Sequence, residues 1–255
     1  MKSARTIIAL CSALAFLHYA SLLAQNPSGD FKLLYNDGKV FYQRAGSEGW
    51  VTADTLTVFL SQDRIRTDDR TNAEFALEGK TVLRLGPSST VSISVVESAH
   101  AIDSGVVLTG LAGDIWINEA RVDSTSRLSV SWAFRERLAA VSSLADTVPA
   151  VYRVAVGVDS TTEIKVYQSS VSVRFFGIET LADSASAANY LERESRNLTD
   201  RPRSDEFELI LQAYQNLLLA ASGKIVYQGA FTPDDPDENN TWIEWNKTRD
   251  SSLLP

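Results

Sequence analysis

The sequence predicts an all-β fold: many short antiparallel strands in a sandwich, jelly roll or β-solenoid-like roll, with a small mixed C-terminal appendage. Three observations carry this. Apolar and polar residues alternate with period two from Phe75 to Val95, the mark of half-buried strands. Turn-forming pairs such as Asp37-Gly38, Glu78-Gly79 and Gly86-Pro87 recur at short intervals. Helical periodicity is absent until late in the chain, and no fixed period of about 20 to 50 residues marks a repeat architecture.

The stretch Asp63 to Ile93 organises the rest. An arginine-rich lead-in precedes a strand around Phe75 and Leu77, a Glu78-Gly79 turn, a second strand around Leu83 and Leu85, the Gly86-Pro87 break and a third strand through Val91, Ile93 and Val95. Before it, two short apolar runs flank Asn36-Asp37-Gly38, and Asp-Gly between such runs signals a hairpin. Trp50 to Leu60 reads as a strand pair or bend.

After it, Val106 to Val122 alternates twice, with Gly110 and Gly113 as breaks. Arg127 to Phe134 places Leu128, Val130 and Trp132 on one face. Arg135 to Thr147 is ambiguous and reads as a helical turn. Tyr152 to Val158, Thr162 to Tyr167 and Val171 to Phe175 are further strands, the first two joined across Gly157, Asp159 and Ser160.

Residues 179–205 turn polar and poor in β-branched residues, which suggests a linker with partial helix. Beyond it, Phe207, Ile210, Leu211, Tyr214 and Leu218 sit at helical spacing, while Asn216 to Phe231 also reads as two strands about Ser222-Gly223, and the sequence leaves both open. Trp242 and Trp245, three apart, suggest a final helical turn docking two aromatics.

At 255 residues, 44% hydrophobic and 22% charged, the chain has the composition of a folded protein with a sizeable core. Residues 1–24 have a secretory pattern: Lys2 and Arg5, the apolar run Ile7 to Leu17, and small residues at Ala20, Ser21 and Ala24. Cleavage after Ala24 is expected, with an uncleaved anchor as the alternative. Cys11 lies inside the apolar run rather than after it, so it is no lipoprotein cysteine. Removal of the segment takes away the single cysteine, the single methionine and His18.

The net charge of −8 becomes more negative when Lys2 and Arg5 leave, which argues against nucleic acid or an anionic membrane as partner. With His100 the one histidine beyond residue 24, neither a catalytic triad nor a zinc site can be assembled from it, and no cofactor or metal is expected. The acidic groups Asp68-Asp69 and Asp234, Asp235, Asp237 and Glu238 lack the twelve-residue calcium loop and read as solvated loops. Arg64, Arg66 and Arg70 are expected to pair with neighbouring aspartates, and, with Trp242 and Trp245, are the candidate partner contacts. Trp50, Trp116 and Trp132 could form a sugar-stacking platform, although sheet packing is the commoner use of such residues.

Taken in order, these residues resemble the FecR (ferric-citrate regulator) domain family over about residues 36–175. The family's Gly-x-Val opening with a nearby Trp is matched by Gly38-Lys39-Val40 and Trp50, and its Gly-Asp-x-Ile-x-Thr step by Gln62 to Thr67. The small-apolar strand corresponds to Ala73 to Leu77, the Asp-Gly-x-x-Leu-x-Leu hairpin to Glu78 to Leu85, the proline-led strand to Pro87 to Ile93, and Leu-x-Gly-x-Ile-Trp-Val to Leu111 to Ile117. The second half departs from the pattern, with Pro149 to Val154 in place of a Gly-Thr-x-Phe-x-Val step and Ser170 in place of a glycine. The tail with Trp245, Asn246, Arg249 and Asp250 is similar to tails of some relatives.

The resemblance implies a periplasmic or secreted domain that works by contact with another envelope protein, without catalysis. Regulator-type members add a cytoplasmic sigma-factor-binding region and a membrane helix, which this chain lacks, so an exported stand-alone member is expected. The implied layout is a signal peptide at 1–24, a FecR-like domain at 25–178, a linker at 179–205 and a C-terminal appendage at 206–255. A carbohydrate or cell-wall binding protein is the alternative, with a glycan as its partner. A carboxylate-based hydrolase ranks below both, because no paired constellation is identifiable.

Overall fold

A computed structural model describes residues 31–77, 81–96, 104–119, 126–133, 137–144, 148–177 and 207–252. The secretory segment, the leading residues 25–30, the Glu78-Gly79 turn, His100 and the 179–205 linker lie outside the described residues.

The fold is all-β, in two antiparallel sheets with a short C-terminal helix. The strands are β1 (Phe31–Asn36), β2 (Val40–Gln43), β3 (Val51–Thr52), β4 (Val58–Phe59), β5 (Arg64–Thr67), β6 (Ala73–Ala76), β7 (Val82–Leu85), β8 (Thr90–Val96), β9 (Ser104–Glu119), β10 (Ser126–Ala133), β11 (Arg137–Ser143), β12 (Ala150–Val156), β13 (Thr162–Gln168), β14 (Ser170–Gly177), β15 (Phe207–Gln212), β16 (Gln215–Leu219) and β17 (Ile225–Ala230). A 3-10 turn at Pro236–Glu238 and helix α1 (Thr241–Ser251) follow.

Sheet A runs β4-β1-β6-β7-β9-β12-β13-β16-β17. Sheet B runs β3-β2-β5-β8-β9-β10-β11-β14-β15, and its β9–β10 pair is parallel. Strand β9 belongs to both. Up to Ala112 it pairs with β8 and β10, and from Gly113 it pairs with β7 and β12.

The transfer happens at Gly113, whose φ is +101°. A Cβ at this position would collide with the Ser89 backbone, and φ > 0 disfavours any residue that has one. Gly110, read as a break, stays within the strand, and the β8–β9 register shifts directly after it, between Gly110 and Ala112. Between the sheets lies one core, to which Phe31, Leu33, Phe75, Leu83 and Ile117 contribute from sheet A and Val40, Ile65, Val91, Val141 and Phe175 from sheet B.

Two local readings differ from the structure, and a third, open in the sequence, is settled by it. Asp37-Gly38 joins strands of different sheets, since β1 pairs with β4 and β6 while β2 pairs with β3 and β5. The Asp37 carboxylate accepts from the Asn72 backbone (2.6 Å) and side chain (2.8 Å), which ties this crossover to the chain entering β6. Arg137–Ser143 is strand β11, hydrogen-bonded on both sides, although its Ala and Ser content lacks β-propensity. Its position between β10 and β14, paired to both, supplies what local preference does not.

The third concerns the segment after 206, where both helical and strand spacings were legible. It forms β15, which extends sheet B, and β16 and β17, which extend sheet A. The mixed character of the C-terminal part then comes from α1 alone. Its first turn is capped by Asn240, whose side chain accepts from the Ile243 backbone N–H at 2.9 Å.

The prediction from this geometry concerns Gly113. Substitution Gly113→Ala should destabilise the protein by about 2–4 kcal/mol, combining a left-handed backbone with a steric clash. Chemical denaturation checks this, with the Gly110→Ala variant expected to lose less than about 1.5 kcal/mol.

Candidate functional site

Two outward surfaces concentrate the chemistry, one on each sheet. On sheet A, strands β6, β7, β9, β12 and β13 direct Glu74, Arg84, Trp116, Asn118, Arg153, Lys165 and Tyr167 away from the core, and α1 lies over part of this set. Arg84 is 0% exposed although it is flanked by core leucines. Its Nε donates to Glu74 at 2.7 Å across the β6–β7 pair, and its Nη1 donates to Asp250 of α1 at 2.6 Å.

Asp250 also accepts from Trp116 Nε1 and from Asn118 Nδ2, both at 2.9 Å. Arg249, the preceding residue, closes the ring with two 2.7 Å hydrogen bonds to Glu74 and stacks over Tyr35 at 4.7 Å. Burial works against ionisation of Glu74, yet the hydrogen bonds from Arg249 and Arg84 outweigh it and hold the carboxyl below its ordinary pKa.

The apolar part of the clamp is small. Ile243 of α1 meets Trp116 and Val151, with Tyr167 and Trp242 packed around them. Trp242 and Trp245 stack at 5.4 Å, and Trp245 also approaches Tyr35 and lies 5.7 Å from the Arg84 guanidinium. Both tryptophans are thus engaged within the chain.

Beside the clamp, Arg153 holds Asp114 through two hydrogen bonds. Lys165 reaches Glu238 of the 3-10 turn at 2.8 Å. Burial opposes the charge of Lys165, but the bond to Glu238 raises its pKa on balance. A cleft of about 270 Å³ remains between α1 and the sheet, lined by Trp116, Asn118, Tyr167, Lys247 and Asp250 among others. It falls below the ~300–1,000 Å³ usual for small-molecule sites.

On sheet B, β5 alternates strictly, with Ile65 and Thr67 buried and Arg64 and Arg66 exposed. The flanking Asp63 and Thr67 perform the structural step. Asp63 accepts from the Leu60 backbone at 2.8 Å and pairs with Arg44. The Thr67 hydroxyl donates to the Gly86 carbonyl at 2.6 Å and accepts from the Ser89 backbone at 2.9 Å. Gln62 has φ +70° where the resembled pattern has glycine.

The expected pairing of Arg64 and Arg66 with aspartates is not what the structure shows. Both guanidiniums lie over the half-buried Trp50 ring, at 5.7 and 4.4 Å from its centroid, and Arg66 also approaches Phe41 at 5.0 Å. Of the nearby aspartates, Asp63 and Asp68 are used elsewhere. Asp68 accepts from Thr71 and from the Arg70 and Lys39 backbones, which lowers its pKa. Arg70 itself is exposed, four residues along the chain from Arg66.

The remaining sequence candidates disperse. Trp116 is 1% exposed beneath α1 on sheet A, while Trp50 lies against sheet B, so a platform of three tryptophans including Trp132 does not assemble. In the acidic loop Asp235 caps Thr232, Glu238 holds Lys165, and Asp237 is exposed. Among the described residues no group of three or more His, Cys, Asp or Glu side chains is placed to hold a metal. Sequence reasoning missed Glu74, Arg84 and Asp250. The available signal was a lone arginine between Leu83 and Leu85, with Glu74 across the same hairpin.

The clamp yields two predictions. Arg84→Ala leaves Glu74 and Asp250 without their shared cation and should cost about 3–5 kcal/mol in equilibrium unfolding. Because the Glu74 pKa is depressed in the folded state, its contribution is complete above the ordinary carboxylate pKa of about 4.3 and is lost as pH falls below it. Thermal unfolding followed between about pH 6 and pH 3 should show a steeper loss in the parent than in Glu74→Gln.

No protein-family model matches the chain, and no curated protein does. Among solved structures, similarity is found to two crystal structures, at 2.50 and 1.65 Å, of a protein from Parabacteroides distasonis described as a "putative anti-sigma factor". The TM-score is 0.41 at 15% identity, and the match covers 66% of this chain and 59% of that one. This chain therefore spans less than two thirds of the length of the protein it matches.

Proposed function

We propose that the chain is a non-enzymatic, extracytoplasmic protein-interaction module of FecR-like character that serves the bacterial envelope. One observation carries this reading: the two outward faces are treated differently. The paired charges of sheet A are neutralised within the chain, by α1, by the turn before it and by neighbours on the sheet itself. The Arg64–Trp50–Arg66 face of sheet B is left open, with no carboxylate on either guanidinium among the described residues.

A rigid, outward, aromatic-backed pair of cations suits contact, because arginine and tryptophan dominate binding energy at protein interfaces. The motif order from Gly38 to Ile117 supports the family reading, and the pattern of residues 1–24 supports export. Among the described residues no helix is long and apolar enough to cross a membrane.

The test is capture from an envelope extract with the full chain as bait, identification of the retained protein, and reconstitution of the complex from purified components. A defined stoichiometric complex is expected. Retention of peptidoglycan or another glycan with no protein would replace this reading by the carbohydrate-binding one.

A further inference from the structure

We infer that the Trp50 face of sheet B is a binding site for an extended, carboxylate-rich peptide segment of the partner; this rests on the protein-interaction reading above. Arg64 and Arg66 are two neighbouring exposed cations on one strand face of a chain of net charge −8, and among the described residues no carboxylate occupies either guanidinium. Elsewhere in the described residues the buried or half-buried cations Arg84, Arg153, Lys165 and Arg249 each meet a carboxylate. Arg64 and Arg66 meet aromatic faces instead.

That difference pre-organises them. A guanidinium stacked on Trp keeps its N–H edge free for a bidentate carboxylate while its faces are covered, so little side-chain freedom remains to be lost on binding. The spacing selects the ligand's shape. Arg64 and Arg66 are alternate residues of one strand, about 6.6–6.8 Å apart along it, and an extended peptide repeats its side chains on one face at the same interval.

Carboxylates at alternate positions of such a segment therefore meet both arginines in register. Across β5, Thr90 and Ser92 of β8 lie directly opposite Arg66 and Arg64, and their hydroxyls can donate to the same anions. On the other side, Phe41 is paired with Arg66 and backs its guanidinium at 5.0 Å, which leaves the intervening side chains of the segment facing away from the sheet.

The experiment is fluorescence anisotropy of the full chain with a labelled eight-residue peptide alternating Asp and Thr, both ends blocked. Controls are the same composition with its aspartates contiguous, an Asn-for-Asp version, and an acidic glycan, polygalacturonate. The alternating peptide should bind, the contiguous one several-fold more weakly, and the Asn version not measurably.

The double variant Arg64→Gln/Arg66→Gln should weaken binding at least tenfold with unchanged circular dichroism and melting temperature, both side chains being exposed. Arg64→Lys/Arg66→Lys should recover only part of it, since a lysine cannot form the bidentate contact. Rising salt should weaken binding steadily. No binding of the alternating peptide, or equal binding by the double Gln variant, overturns the site. Tighter binding of polygalacturonate than of the peptide overturns the occupant. If the envelope complex survives in the double Gln variant, the module still binds protein but through another face. If peptide binding holds and no envelope complex forms, the module reading fails by itself.

Discussion

The structure depends on one backbone constraint, the passage of β9 from sheet B to sheet A at Gly113. Because a single strand is central to both sheets, the registers of β7, β8, β10 and β12 are all referenced to it. A one-residue slip in β9 would turn core side chains outward in both layers at once. Ser89 reinforces the corner, since its hydroxyl accepts from the Asp114 N–H (2.9 Å) just past the glycine and its backbone is held by Thr67. Chain crossovers at Asp37-Gly38 and at Gly86 to Ser89 bring β2 and β8 from sheet A to sheet B.

The clamp of α1 on sheet A follows a different logic from the core. Buried ion pairs contribute little net stability compared with apolar packing, but they are intolerant of mismatch. Here the requirement is specific: Glu74 needs Arg84 and Arg249, and Asp250 needs Arg84, Trp116 and Asn118. Only a helix presenting Arg249 and Asp250 side by side, with Ile243 two turns earlier, satisfies all of them. The helix itself is polar, so its position comes from these partners more than from an apolar stripe.

Much of the fold was legible because half-buried strands announce themselves by alternation. Ile65 and Thr67, Phe75 and Leu77, Leu83 and Leu85, and Val91 and Ile93 all point inward as their spacing implies. Which sheet each strand joins was not legible, since alternation describes one strand and carries no record of its neighbour. Asp37-Gly38 illustrates this: the same dipeptide that closes a hairpin also turns a chain between layers. Strand β11 was hidden for the opposite reason, its Ala and Ser residues being chosen for a crowded central position and not for local preference. The arginines of β5 were recognised as candidates, but their aromatic support required the register that sets β2 between β3 and β5. Arg84 could be seen as unusual, whereas Asp250 lies 166 residues away and no local pattern links the two.

The ionic character of the α1 interface has a consequence for how the chain is made. Helix α1 follows the described strands in order, so any sheet A that forms before α1 is made has its outer face uncovered. An apolar face in that position would be adhesive during synthesis. Glu74, Arg84, Asn118, Arg153 and Lys165 instead keep the unfinished surface hydrated, with Glu74 and Arg84 already able to satisfy each other. What an uncovered face offers neighbouring chains to join is then confined to the small patch of Trp116, Val151 and Tyr167.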